Sequence, residues 1–351
     1  MGISIIKDIK GMPIFAIYKY GVSQRKEEEA VLFPEQQEEN NIQQKHYDSP
    51  EQCFGSFFKT GGKLELNVLR EKGRGKDKTV EWEQFENDVL MVADDVILMT
   101  IENNKWKHTT NKKKDVAHEH HPYCHVVIDN RPGHQIMAVV KNSAFDNKPD
   151  KVCGILYQAF NNAAILGQYH LKLEFSRYQR DKNEFWPVVN DIRSKFKDSV
   201  RQIRMDFKGK EEDEETDSND VVSIMRMLAK KSESTAAVML SAEGDGEVKL
   251  DELHDDLSNM ADICVKQKGE YDLTVKFKTF GLYRYGADIM AQFGVEDEVI
   301  EEFENGVKKM NFETPEASFS LTQWLDRMHE LLKDYANEVP VQKGKNHRRR
   351  R

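Results

Sequence analysis

The chain has 351 residues, of which 32% are charged and 38% are hydrophobic, and its net charge at pH 7 is −9. No run of about 18 apolar residues is present, which excludes a membrane-spanning helix, and the charged residues Lys7, Asp8 and Lys10 give no reason to expect a signal peptide. Four cysteines without a C-x-x-C pair exclude a disulfide framework and favour a reducing, cytoplasmic location.

Charge is divided unevenly along the chain. Residues 112–210 carry a net charge of +7, whereas residues 211–306 carry −16. A basic middle followed by an acidic block indicates either a localised anion-binding surface or two segments that attract each other. The alternative is ordinary charged surface, because runs of charge usually belong to a solvated face.

The first 111 residues predict a mostly-β unit. Apolar residues that alternate or cluster between turn residues predict short strands at 3–6, 14–20, 63–69, 89–92 and 96–101. Residues 24–50 are rich in Glu, Gln and Asn, which predicts a loop or a disordered insert. Ser49 followed by Pro50 predicts the start of a helix, since Ser is a favoured N-cap and Pro a favoured first helical residue.

The polar residues 112–121 predict a hinge, which places the first domain boundary after residue 111. Beyond it the pattern changes to β-β-α-β-α-β, which predicts an α+β unit at 112–210. Acidic residues at 211–220 predict a linker to a third unit of helices and strands, which ends at residue 340. The basic residues 341–351 are expected to form a disordered tail. The predicted fold class is therefore α+β, with an N-terminal mostly-β unit followed by an α+β region whose helices pack on a mixed or antiparallel sheet.

A histidine-rich segment is the strongest chemical cluster, with four histidines and one cysteine within residues 118–125. Imidazole nitrogen and thiolate sulfur are ligands that zinc prefers, so the segment suggests a divalent-metal site, and no other cofactor is expected. The candidate ligands are His118, His120, Cys124 and His125. Because their spacing matches no zinc motif, the alternative is a polar surface segment that leads into a strand.

A second candidate cation site is the acidic turn at residues 241–252. Asp245, Gly246 and Glu252 fall where an EF-hand loop needs them, but Ser241 replaces the Asp that begins such a loop. The alternative is a β-turn whose glycines supply positive φ.

The basic middle of the chain contains strands in which polar and apolar residues alternate. Such a polar sheet face, with its neighbouring loops, suggests contact with nucleic acid, because each phosphate neutralised by Lys or Arg releases a counterion. The candidate nucleic-acid-binding residues are Arg177, Arg180, Arg201, Arg204 and Lys208, helped by the basic tail. The alternative is an ordinary sheet with one buried face, which shows the same alternation.

No nucleophile elbow, P-loop or dinucleotide-binding motif is present in the sequence. The leading hypothesis is therefore a cytoplasmic, non-enzymatic binding or adaptor protein whose partner is nucleic acid, or a protein bound to nucleic acid, and not a membrane. One alternative is a metal-dependent hydrolase or nuclease that uses the cluster at 118–125. A second alternative is a protein-interaction or assembly component that docks through the helix containing Trp324. The sequence does not define the oligomeric state.

Overall fold

A computed structural model describes residues 12–24, 47, 49–59, 62–72, 79–103, 105–111, 114–120, 122–162, 171–180, 185–208, 221–232, 234–244, 246–266, 271–286, 290–306 and 320–340. The chain divides into two compact units. The N-terminal unit comprises Ala16–Arg177, Glu304–Val307 and Glu338–Arg351. The C-terminal unit comprises Met1–Phe15, Tyr178–Phe303 and Lys308–Asn337.

Sixteen strands lie within the described residues. They are β1 (Ile14–Gln24), β2 (Leu66–Lys72), β3 (Thr79–Phe85), β4 (Asn87–Ala93), β5 (Val96–Glu102), β6 (Lys105–Asn111), β7 (Lys114–His120), β8 (Tyr123–Asp129), β9 (Ile136–Val140), β10 (Leu171–Arg180), β11 (Val200–Lys208), β12 (Thr235–Ser241), β13 (Tyr271–Phe277), β14 (Leu282–Gly286), β15 (Gln292–Gly294) and β16 (Ala336–Pro340).

Seven α-helices accompany these strands in the described residues. They are α1 (Pro50–Ser56), α2 (Pro149–Asn162), α3 (Phe185–Ser194), α4 (Val221–Lys231), α5 (Leu250–Lys266), α6 (Asp297–Glu304) and α7 (Leu321–Tyr335). No helix in the described part of the chain has the length and apolar character needed to cross a membrane.

The N-terminal unit is built on an antiparallel ladder in which β4, β5, β8, β9 and β1 are neighbours in that order. Strand β10 pairs with β1, so that Tyr18 lies opposite Arg177. Helices α1 and α2 contribute an aromatic cluster, in which the Phe54 ring lies 5.1 Å from Phe160 and 5.4 Å from Tyr20 of β1. Burying these rings supplies much of the hydrophobic stabilisation of this unit, because each ring removes a large apolar area from water.

The predicted fold class was wrong. Strands on both sides of residue 111 belong to one ladder, since β5 pairs directly with β8. Within the N-terminal unit, the ladder of β4, β5, β8, β9 and β1 therefore runs across the predicted boundary. Among the described residues, strand residues, at 44%, outnumber helical residues, at 33%. Alternation along the chain identifies a strand but does not choose its partner, which is why the predicted N-terminal unit does not exist as a separate layer.

Most predictions of single elements are confirmed. Ser49 caps α1 by accepting a hydrogen bond from the Gln52 amide, and Pro50 is the first helical residue. Asp94 and Asp95 have positive φ angles of 49° and 58° in the tight turn between β4 and β5. Such a turn matches the twist of the two strands it joins.

Residues 112–121, predicted to be a hinge, instead fall largely within β7, which pairs with β6 in a separate two-stranded sheet. The strand predicted at 3–6, the linker predicted at 211–220 and the tail predicted at 341–351 lie outside the described residues, as does most of the insert at 24–50. The domain boundaries predicted after residues 111, 210 and 340 stay predictions.

The C-terminal unit places its helices around the antiparallel ladder of β12, β11, β13, β14 and β15. Ser320 and Gln323 form a capping box at the start of α7. The apolar stripe of α7 is buried, and the Trp324 ring lies 5.4 Å from Phe15. The apolar face of α7, which the sequence suggested as a docking element, is therefore buried in the core.

Asp198 connects the segment before β11 to the turn after β13 through hydrogen bonds to its carboxylate. Its buried carboxylate accepts hydrogen bonds from the amide of Phe280 at 2.6 Å, the hydroxyl of Thr279 at 2.7 Å and the amide of Ser199 at 2.9 Å. A carboxylate with this number of donors is a structural group, because its removal leaves buried N–H groups without an acceptor.

We expect Asp198→Ala to lower the free energy of unfolding by about 1–3 kcal/mol, because the buried amide of Phe280 and the half-buried amide of Ser199 lose their acceptor. Urea unfolding followed by far-UV circular dichroism measures the change. Asp255→Ala is the matched control, since the Asp255 side chain is fully exposed, and it should change stability by less than about 0.5 kcal/mol. Equal losses in the two variants would contradict the structural role of Asp198.

A polar cluster joins α3 to α7. The Asp191 carboxylate accepts from the Tyr335 hydroxyl at 2.5 Å and pairs with Lys195 at 2.7 Å, and Lys195 also contacts Asp334 at 3.0 Å. Burial opposes ionisation of Asp191, but the hydrogen bonds from Lys195 and Tyr335 outweigh it and hold the Asp191 pKa below its ordinary value. Burial, followed by the hydrogen bond to Asp191, raises the pKa of Tyr335 to about 12.

The lowered Asp191 pKa makes this cluster acid-sensitive. Its contribution to stability is present above the ordinary Asp pKa of about 4 and is lost as the pH falls through the folded-state pKa. Asp191→Asn should therefore flatten the dependence of unfolding free energy on pH below about 4. Urea unfolding between pH 3 and pH 7 tests this, with Asp255→Asn as an exposed control. If the unfolding free energy of Asp191→Asn falls with decreasing pH as steeply as that of the parent, the cluster is not the source of the acid sensitivity.

Candidate interaction surface

Arg177, the first residue predicted to contact nucleic acid, is held in an ion pair within the N-terminal unit. Its Nε donates to Asp150 Oδ1 at 2.9 Å and its Nη2 donates to Oδ2. The hydroxyl of Tyr18 also donates to Asp150, at 2.6 Å. Because Asp150 is in the first turn of α2, this group of three side chains attaches the helix to the β1–β10 ladder.

Arg180 lies in the C-terminal unit and is buried. Its guanidinium is stacked over the Tyr285 ring at 3.8 Å from the centroid, and Nη2 donates to the carbonyl of Gly286. A stacked, hydrogen-bonded guanidinium of this kind is part of the packing of β14.

Arg201 fills the acidic turn that the sequence suggested as a cation site. The buried guanidinium donates through Nη1 to the carbonyl of Gly246 and through Nη2 to the carbonyl of Gly244. Backbone carbonyls are also the groups that a calcium loop presents to its ion. Arg201, a candidate nucleic-acid contact, and the turn at 241–252, a candidate cation site, therefore bind each other. The Arg201 guanidinium supplies the positive charge in this turn.

Arg204 belongs to a charge-balanced face of the C-terminal sheet. Its Nη2 pairs with Asp206 at 2.7 Å. On the neighbouring strands, Arg284 pairs with Asp272 at 2.5 Å, and Lys276 pairs with Glu296 at 3.0 Å. The side chain of Lys208 lies outside the described residues.

Every described guanidinium among the predicted nucleic-acid contacts therefore has an intramolecular partner. They are also divided between the units, since Arg177 lies in one and the other three in the second. Their role in nucleic-acid binding stays a prediction. The cost of that role is clear, because a phosphate would have to replace carboxylates and carbonyls that these arginines already bind.

The candidate metal ligands lie on two strands of different sheets, β7 and β8. Cys124 and His125 are consecutive in β8, so their side chains point to opposite faces of the sheet. The Cys124 thiol is buried and donates to the Val140 carbonyl at 3.2 Å, and burial raises its pKa to about 12. A thiol held neutral in this way is a poor zinc ligand.

His118 and His120 are residues of β7, and their side chains lie outside the described part of the chain. His125 packs edge-on against Tyr123, with ring centroids 5.2 Å apart. Within the residues that the structure describes, no group of three or more His, Cys, Asp or Glu side chains is placed to hold a metal ion.

An apolar surface that the sequence did not reveal lies on α4 and β12, which contact each other. Ile224, Met227 and Leu228 of α4 are 46–48% exposed, and Met239 and Leu240 of β12 are 46% and 40% exposed. We call these five residues the α4–β12 surface. Met239 and Leu240 are consecutive in β12, so their side chains lie on opposite faces of the sheet and share only its edge. Exposure of this much apolar area in two adjoining elements is unusual, because apolar side chains that lack a partner in the fold usually mark a binding site.

The helix part of this surface arises from the width of its apolar arc. Seven of the eleven residues of α4 are apolar, and at 100° per residue they cover an arc of about 220°. The buried Ala229 marks the side that the sheet covers. The remainder of the arc, with Ile224, Met227 and Leu228 at i, i+3 and i+4 spacing, is left to solvent.

The strand part of this surface is the edge of the sheet. Strand β12 pairs with β11 on one side, and no other strand in the described ranges pairs with it. Its sequence, TAAVMLS, contains no charged residue and no proline. Natural proteins usually protect an edge strand with Lys, Pro or a bulge, so an uncharged edge suits a strand that receives a partner.

The apolar pattern predicts a helix at 221–231 and a strand at 236–240, which are α4 and β12, but it does not predict their exposure. Periodicity shows which residues share a face, whereas the neighbour that covers a face is set by the tertiary fold. The excess width of the apolar arc of α4 was the signal that could have revealed the surface.

The structural role of Arg201 gives a prediction that differs from that of a phosphate-binding residue. Arg201→Gln should lower the free energy of unfolding by about 1–3 kcal/mol, because the buried guanidinium and its hydrogen bonds to the Gly244 and Gly246 carbonyls are lost. The matched control is Lys249→Gln, since the Lys249 side chain is 75% exposed, and it should be nearly neutral. Urea unfolding measures both, and a fully stable Arg201→Gln variant would contradict the structural role.

Comparison with known proteins gives no information on the function of this chain. No protein-family model, curated protein or solved structure matches the chain. The assignment of the α4–β12 surface therefore rests on its exposure, its lack of charge and its position at a sheet edge.

Proposed function

We propose that this protein is a binding or adaptor protein, without enzymatic activity of its own, that docks to a protein partner through the α4–β12 surface. The observation that carries this proposal is the exposure of five large apolar side chains on two contacting elements at an uncharged sheet edge. Met, Leu and Ile are side chains that bind by burial and do no chemistry, so the surface suits recognition.

The energetics indicate what kind of docking is needed. Full burial of a Leu, Ile or Met side chain contributes about 1.5–3 kcal/mol, so five half-exposed side chains contribute about 5 kcal/mol in total. Association costs about 4–15 kcal/mol in lost translational and rotational freedom. Apolar contact alone is therefore too weak, and the backbone of β12 must contribute by pairing with a strand of the partner.

Three alternatives have less support. Nucleic-acid contact through the predicted arginines would compete with their ion pairs, which include Arg177 with Asp150 and Arg204 with Asp206. A metal-dependent hydrolase would need Cys124 as a thiolate, and burial disfavours that form. Docking through the helix of Trp324 would require its apolar stripe to leave the core.

We also propose a cytoplasmic location. Cys53, Cys124 and Cys153 are free, buried thiols. Unpaired cysteines persist in a reducing compartment, whereas secreted proteins commonly pair them.

The proposal predicts a partner whose affinity depends on α4. The bait is the purified parent chain, and a protein captured from source-cell extract is then purified and titrated by calorimetry. The double variant Met227→Glu/Leu228→Glu should bind at least about tenfold more weakly, because it buries charge at the interface. Binding to the parent should have a negative heat-capacity change, since apolar area is buried.

The control for this experiment is Val80→Glu. Val80 is an exposed apolar residue on β3, outside the α4–β12 surface, so this variant should bind as the parent does. A partner that binds the parent, the double variant and the control with equal affinity would show that docking occurs elsewhere and would overturn the proposal.

A further inference from the structure

We infer that the partner of the α4–β12 surface is a second copy of this chain, and that the two copies pair β12 with β12 in antiparallel orientation about a two-fold axis at Val238. This inference rests on the proposed function and names its partner. It follows from three properties of β12: an edge with which no strand in the described residues pairs, the order of small and large side chains along it, and the charges at its two ends.

The open edge supplies the backbone interaction. In an antiparallel sheet every second residue of an edge strand directs its N–H and C=O groups away from the neighbouring strand. β12 has seven residues and pairs with β11 from Thr235 to Ser241. A two-fold axis perpendicular to the sheet makes the same edge available on both copies, which is the simplest closed assembly for an edge strand.

The order of side chains makes β12 sterically complementary to itself. Pairing about Val238 places Ala236 opposite Leu240 of the second copy and Ala237 opposite Met239 of the second copy. Each small residue then meets a large one, and the same holds for the symmetry-related pairs. Thr235 lies opposite Ser241 of the second copy at each end, where two hydroxyls can exchange a hydrogen bond.

Charge at the two ends favours the antiparallel orientation. Residues 230–234, which precede β12, carry a net charge of +1 because Glu233 accompanies two lysines, and residues 242–249, which follow it, carry −2 because Lys249 accompanies three acidic residues. An antiparallel pair brings the basic end of one copy toward the acidic end of the other, whereas a parallel pair would place like charges side by side. The absence of charge within β12 itself leaves no like-charge pair along the strand.

The register can be tested because Ala237 and Met239 face each other across the proposed interface. Within one copy, Ala237 lies opposite Asp206 and Met239 lies opposite Arg204 in the β11–β12 ladder. The double variant Ala237→Lys/Met239→Glu therefore places opposite charges both within each copy and across the interface. The double variant Ala237→Lys/Met239→Lys places like charges across the interface.

Sedimentation equilibrium of the full chain from about 1 to 200 µM measures the association. The parent, of 40.8 kDa, should reach twice that mass, and Ala237→Lys/Met239→Glu should retain a dimer. Ala237→Lys/Met239→Lys should dissociate at least about tenfold more readily, because two like-charged pairs form per dimer. Thermal unfolding establishes that both variants are folded.

Three results would overturn the inference. The first is a parent chain that stays monomeric over the whole range. The second is a dimer that both double variants weaken equally, which would place the contact in another register or on another surface. The third is an association that carries absorbance at 260 nm and weakens steeply with salt, which would be bridging by nucleic acid.

The proposed function is tested separately. A monomeric parent that binds a different protein, with loss of affinity in Met227→Glu/Leu228→Glu, would overturn self-pairing and support the docking surface. A monomeric parent whose captured partners are insensitive to the α4 substitutions would overturn both proposals.

Discussion

The ladder between β1 and β10 is the interaction on which the N-terminal unit depends. It joins residues that are far apart in the chain, with Tyr18 opposite Arg177. Both of these residues bind the same carboxylate, that of Asp150 in the first turn of α2. A negative side chain is favoured near a helix N-terminus. One carboxylate therefore fixes the register of two strands and the position of a helix.

Many charged side chains in this protein interact with other groups of the fold, which its composition alone does not indicate. The chain is rich in Lys, Arg, Asp and Glu, yet the described arginines of the basic middle bind carboxylates, carbonyls or aromatic rings. Guanidinium groups suit this role because they are planar and carry several donors. In this segment of net positive charge, several arginines are thus already bound within the fold, as Arg177 is by Asp150 and Arg204 by Asp206.

The sequence predicts elements better than partners, for physical reasons. Ser49 and Pro50 start α1 as expected because capping is a local interaction. The apolar stripe of Trp324 predicts α7 correctly, but its burial against Phe15 depends on a residue more than 300 positions away. Polar composition at 112–121 was interpreted as a hinge, although β6 and β7 pair there with side chains of low β-propensity.

The α4–β12 surface likewise consists of elements that the sequence predicts and of an exposure that it does not predict. Helical and strand character at α4 and β12 is encoded locally, and the structure bears it out. Their exposure is not encoded locally, because it depends on which elements cover them. Arg201 donates to the carbonyls of Gly244 and Gly246, since a turn that follows β12 returns to β11, and its role in nucleic-acid binding stays a prediction.

An uncharged edge strand also has a consequence for the fate of the protein when its edge is uncovered. A seven-residue segment without charge, proline or glycine has the composition from which cross-β fibrils grow. Folded proteins usually guard such segments with a charged or proline gatekeeper, and β12 has none. Whatever occupies this edge therefore does two things at once: it completes the sheet, and it shields the chain from aggregation at high concentration.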